Sequence, residues 1–75
     1  MIDYETLSPH PSGSFLLPKY YGGPLDGHID HSVAVCDIKG MIRHASGCYS
    51  LQGFKRNNPH QMATEYAVYE WVLNK

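Results

Sequence analysis

The nine residues from Tyr20 to His28, YYGGPLDGH, commit the chain to a reversal in its first third. In Gly23-Pro24-Leu25-Asp26 the proline holds φ at about −65°, as a type I turn requires. Asp26-Gly27 then adds a capping carboxylate and a residue free to take φ > 0. These preferences explain every residue of the stretch except the tyrosine pair and the second glycine. The strand entering the bend is expected to end at Tyr20-Tyr21.

A chain of 75 residues is expected to form one small domain over 1–75. At this size folding buries only roughly 60% of the surface that the unfolded chain exposes, so the core is thin. Residues 8–18, SPHPSGSFLLP, hold three prolines, three serines and a glycine, which break helical and strand periodicity alike. Residues 1–18 are therefore expected as an extended Pro/Ser-rich arm and 19–75 as a β core. Such an arm can cover a sheet edge or reach a neighbouring subunit.

From His28 onward two alternating runs, HIDHSVAVCD (28–37) and MIRHASGCYSL (41–51), flank Ile38-Lys39-Gly40. A three-residue loop with glycine last predicts a bulged hairpin. Its register sets Val35 opposite Arg43, Val33 opposite Ala45, Ile29 opposite Tyr49 and Asp30 opposite Cys48. One face then carries Ile29, His31, Val33, Val35, Met41, Ala45, Tyr49 and Leu51 as core, and the other is half polar. Cys36 and Cys48 would lie on the order of 20 Å apart on the ladder, too far to bridge.

The run MATEYAVYEWVLNK supports two structures. Asn58-Pro59 with Gln61 resembles a helix start, and Met62, Tyr66, Tyr69 and Leu73 could line a helical stripe. The β-prone cluster Tyr66, Val68, Tyr69, Trp71, Val72, with Ala67, Tyr69, Trp71 and Leu73 alternating, favours a last strand over 64–73. The fold expected is all-β, a small antiparallel sheet or roll of three or four strands around the central hairpin. The alternative is α+β, with a C-terminal helix packed on the sheet.

Tyr20, Gly22, Gly23, Pro24, Asp26 and Gly27 form a Tyr-x-Gly-Gly-Pro-x-Asp-Gly turn, and Tyr69 and Trp71 give a Tyr-x-Trp ending. In these short motifs the sequence resembles a diffuse group of small uncharacterised proteins encoded by bacteriophages of actinobacteria. In that group the turn lies close to the N-terminus, whereas here nineteen residues precede it, so the arm is outside the resemblance. The resemblance carries no catalytic residues. It implies a small phage protein that acts on a host protein, on a defence system or within the virion.

The charge, −1 at neutral pH, leaves no footprint for nucleic acid or an anionic membrane. No apolar run is long enough to span a bilayer, and the first residues lack the pattern of a signal peptide, so a soluble, intracellular protein is expected, which the phage resemblance places in the cytoplasm of the infected host cell. Two cysteines without a secretory signal are expected as free thiols. His28 and His31, three apart on a strand, point to opposite faces, so neither a metal nor any other cofactor is expected. His28, Asp30 and Cys48 share a face in the hairpin register and permit a thiol nucleophile. A chain this short has little depth for an oxyanion hole and cleft, so no catalytic residues are assigned. Phe54 with Lys55-Arg56 makes only a weak basic patch for RNA.

Six tyrosines and a tryptophan exceed what a small core needs, and these residue types anchor interfaces. Tyr49 and Trp71 are assigned to the core. Tyr20 and Tyr21 face opposite ways on a strand, so one is exposed beside a rigid turn. The site expected is partner-binding, formed by Tyr20, Tyr21, Gly22, Gly23, Pro24 and Asp26. The function expected is a non-enzymatic interaction protein that binds a bacterial host protein, with a minor virion or assembly component as the alternative. A thin core also suggests a homo-oligomer.

Overall fold

The computed structural model describes residues 2, 4–11, 13–44, 46–56 and 65–73. They form an all-β fold, one curled mixed sheet shaped as a half-barrel. Its strands are β1 (Phe15–Tyr21), β2 (Val33–Ala34), β3 (Met41–His44), β4 (Gly47–Arg56) and β5 (Glu65–Leu73). Their order across the sheet is β2-β1-β5-β4-β3. The strands thus number five, and the sheet is not purely antiparallel, because β1 and β5 run parallel in register from Leu17↔Tyr66 to Tyr21↔Glu70.

Burial alternates along β1 although its sequence does not, and β5 follows its β-prone cluster. In β1, Leu16, Pro18 and Tyr20 point inward, while Phe15 is exposed and Leu17, Lys19 and Tyr21 are half-buried. In β5, Ala67 and Tyr69 fill the inner face. The C-terminal segment is thus the strand that its β-prone cluster favours. The helix-start residues Asn58, Pro59, Gln61 and Met62 lie outside the described residues. β1 begins at Phe15, inside the stretch expected as an arm. Pro18 fits there because its carbonyl accepts from Asp30 N–H at 2.8 Å, on the side away from β5. Its missing N–H falls on that same side, so it withholds no donor from the β5 ladder.

The hairpin expected between 28–37 and 41–51 does not form. Residues 27–35 instead fold straight back along β1 across the YYGGPLDGH bend. Gly27 N–H donates to Tyr20 O at 2.9 Å, and Tyr20 N–H to His28 O at 3.0 Å. Ile29 then pairs with Lys19, and β2 pairs with Phe15 and Leu16. A 3-10 turn at Val35–Asp37 ends this arm, and Ile38-Lys39-Gly40 leads across to β3 rather than closing a hairpin. β3 pairs with β4 from Met41↔Ser50 to His44↔Gly47, with Ile42 opposite Tyr49 and Arg43 opposite Cys48.

The different partners change which side chains are inside, as a register change must. Tyr49 is buried, and Leu51, Val35 and Ile42 pack on the core. Val33 is half-buried. Ile29, Met41 and His31, expected inside, are exposed. Ala45 lies outside the described residues. Both cysteines are free thiols, Cys36 exposed and Cys48 half-buried.

The core is unusually rich in phenol rings: Tyr20, Tyr49 and Tyr69 join Leu16, Phe54 and Ala67. Tyr20 meets Tyr49 edge-on at 4.8 Å between centroids, and Trp71 lies 4.9 Å from Tyr49. In so thin a core each ring spans from the centre to the rim, where its hydroxyl finds a partner. On the opposite face Tyr4–Ser8 crosses the sheet. The Tyr4 hydroxyl donates to the Glu70 carboxylate, and Ser8 pairs with Phe54 through bonds of 2.8 and 3.0 Å. Ser8 thus meets the part of the β4 edge that the short β3 leaves open. No helix among the described residues is long and apolar enough to cross a membrane.

Candidate partner-binding groove

The bend is a clamped element, and its clamps come from the core. Gly23–Leu25 form a 3-10 turn with Pro24 in its first positions. Gly22, Gly23 and Gly27 take φ of +79°, +66° and +81°, values that side chains resist. The Asp26 carboxylate accepts from Gly22 N–H at 2.7 Å, which is the capping role that its position suggests. From below, the Tyr49 hydroxyl accepts from Leu25 N–H and donates to Gly22 O, both at 2.8 Å. A Cβ built on Gly23 would lie 2.4 Å from the Trp71 ring. The second glycine, which turn preference leaves unexplained, is thus required by the chain's own tryptophan.

The adjacent tyrosines divide between the two faces of β1. Tyr20 is 3% exposed, and its hydroxyl lies 3.4 Å from Asp30 Oδ2. Burial, then the negative charge of Asp30, push its pKa up to about 12. It belongs to the core and presents no surface to a partner. Tyr21 is half-buried on the other face, where the Lys19 ammonium sits 5.3 Å from its ring centroid.

Beside the bend lies an open groove of about 490 Å³. Tyr21 and Tyr4 supply its rings, Asp26 and Glu70 its carboxylates, and Gly22, Ile2 and Trp71, whose ring packs on Tyr49, complete the lining. Of the residues expected as the site, Tyr21, Gly22 and Asp26 border this groove. Gly23 and Pro24 are exposed on the bend itself, and Tyr20 is inside. Ile2, Tyr4 and Glu70 are additions that no local pattern marks, since they reach the groove only through the β1–β5 pairing and the crossing of the N-terminal segment.

A second concavity of about 260 Å³ is bordered by Tyr20, Tyr69, Asp30, Asp37 and Lys39. The Tyr69 hydroxyl donates to Lys39 O at 2.6 Å, and burial raises its pKa against the opposing effect of that bond.

His28, Asp30 and Cys48 are not brought together. His28 and Asp30 lie along β1, while Cys48 stands on β4 with β5 between. The His28 ring stacks on Tyr20 at 6.1 Å. Among the described residues no three His, Cys, Asp or Glu side chains are grouped to hold a metal ion. Phe54 is buried, so its ring is not open to stacking beside the exposed Lys55 and Arg56.

Comparison with protein-family models, with curated proteins and with solved structures finds no match for this chain.

Proposed function

We propose that this chain is a non-enzymatic interaction protein of bacteriophage origin that binds a protein of its bacterial host in the host cytoplasm. One observation carries the binding part: a rigid, doubly clamped bend stands beside an open groove that Tyr4 and Tyr21 line. Tyrosine and tryptophan anchor interfaces because they bring large contact area at low entropic cost. The phage origin and the host as the source of the partner rest on the Tyr-x-Gly-Gly-Pro-x-Asp-Gly and Tyr-x-Trp resemblance alone.

Site-specific photocrosslinking in host cells tests this. A benzophenone amino acid at position 21 is expected to capture one identifiable host protein, and the same group at exposed Phe15 is expected not to. Capture of the same proteins from both positions would contradict the reading. Detection of the chain in purified particles, with no host protein captured, would favour the virion component instead.

Self-association is part of the same proposal. Phe15, Met41 and Leu73 are apolar side chains at least half exposed, and a second copy would cover such surface. Light scattering at tens of micromolar is expected to give a dimer or larger species, and a monomer would contradict it.

A further inference from the structure

The groove beside the bend has a chemical selectivity that its aromatic rings alone do not define. Its charged side chains are Asp26 and Glu70, and no Lys or Arg is among its described lining residues. Among the described residues, Asp26 accepts from Gly22 N–H and Glu70 from the Tyr4 hydroxyl. An ionised carboxylate accepts at about four lone-pair positions, so both keep acceptor capacity for a ligand. The rings offer negative π faces, and Tyr21 already attracts a cation from its own chain, the Lys19 ammonium at 5.3 Å.

We infer that the groove receives an arginine side chain of the partner protein. A guanidinium is planar, stacks on Tyr or Trp and meets a carboxylate with two parallel N–H donors, so it uses both halves of this lining at once. Lysine, a compact and strongly hydrated charge, uses the carboxylates but stacks less well. An apolar side chain would cover the rings and leave both carboxylates facing it, which costs desolvation without a compensating bond. The inference rests on the binding role proposed for this groove and names the group that it recognises.

The test is an NMR titration of the isotope-labelled protein with N-acetyl-arginine methylamide, its neutral citrulline isostere and the norleucine analogue. The arginine compound is expected to give saturable shifts at the Tyr21, Gly22, Asp26 and Glu70 amides. Citrulline is expected to bind about tenfold more weakly, the difference that a partly desolvated cation makes. Glu70→Gln, which keeps an acceptor for the Tyr4 hydroxyl, is expected to weaken arginine binding more than threefold while the rest of the spectrum stays in place. Equal responses to arginine and citrulline, a stronger response to norleucine, or shifts confined to other regions would overturn the assignment. The citrulline comparison needs no variant and holds even if Glu70→Gln disturbs the fold. No host protein enters the titration, so the two proposals fail separately. Crosslinking from position 21 without arginine selectivity removes the arginine assignment alone. Arginine selectivity without a crosslinked host protein removes the host-binding role alone.

Discussion

Tyr49 and Leu25 meet through a 2.8 Å hydrogen bond in which the backbone of the bend donates to a phenol rooted in the middle of β4. The same hydroxyl donates to Gly22 O at 2.8 Å, so one oxygen holds both ends of the 3-10 turn. Tyr49→Phe keeps the buried ring and removes only this link. It is expected to lower the unfolding free energy by about 1–2 kcal/mol in urea titration, the scale for two bonds partly replaced by water. Hydrogen exchange at the Leu25 amide should accelerate by more than global unfolding explains. Unchanged exchange there would mean that the hydroxyl does not hold the bend.

Two glycines of the bend separate backbone strain from steric conflict. Gly23 and Gly27 both have positive φ, but a Cβ on Gly23 would strike the Trp71 ring at 2.4 Å, while one on Gly27 meets nothing within 4 Å. Gly27→Ala is expected to cost about 1 kcal/mol from its dihedral angle. Gly23→Ala should cost about 2–4 kcal/mol, because overpacking against Trp71 adds to the same strain. Thermal or urea denaturation of the two variants measures the difference directly, and equal costs would contradict the contact with Trp71.

Alkaline pH probes the buried phenols. The Tyr20 pKa is pushed up to about 12 and that of Tyr69 is also raised, both chiefly by burial. The unfolded chain releases these protons near pH 10, earlier than the folded one, so stability is full below about pH 10 and falls as pH rises toward 12. Ultraviolet titration should show part of the tyrosinate signal appearing late and together with unfolding. In Tyr20→Phe the decline in stability between pH 10 and 12 should be shallower. Normal ionisation of all six tyrosines in the folded state would contradict the buried arrangement.

What was legible in the sequence was local. The proline, aspartate and glycines of YYGGPLDGH define the bend, and the alternation of Ala67 and Tyr69 marks the inward side of β5, whereas β1 begins inside a stretch that reads as an arm. The partner of each strand was less accessible. Ile38-Lys39-Gly40 looks like a bulged hairpin loop, yet the β3–β4 pairing closes at His44 and Gly47, away from that loop. Gly47, in that closing pair, is needed for a steric reason: a Cβ there would lie 2.5 Å from both Trp71 and Val72 O. The parallel β1–β5 pair joins residues about fifty positions apart, and no local pattern specifies such a match. Half of the groove was therefore readable, through Tyr21, Gly22 and Asp26. Tyr4, Glu70 and Ile2 arrive only by that long-range pairing.

The division of Tyr20 to the core and Tyr21 to the groove is tested most directly by measuring melting temperature and partner affinity for each alanine variant. Tyr20→Ala removes a ring that is 3% exposed and should cost about 3–5 kcal/mol, enough to unfold much of so small a domain. Tyr21→Ala should melt close to the parent protein and bind the partner captured from position 21 more weakly by more than ~1 kcal/mol, as an interface anchor does. Parental affinity in Tyr21→Ala, or a loss of binding that only follows a loss of folding, would contradict the groove as the binding site.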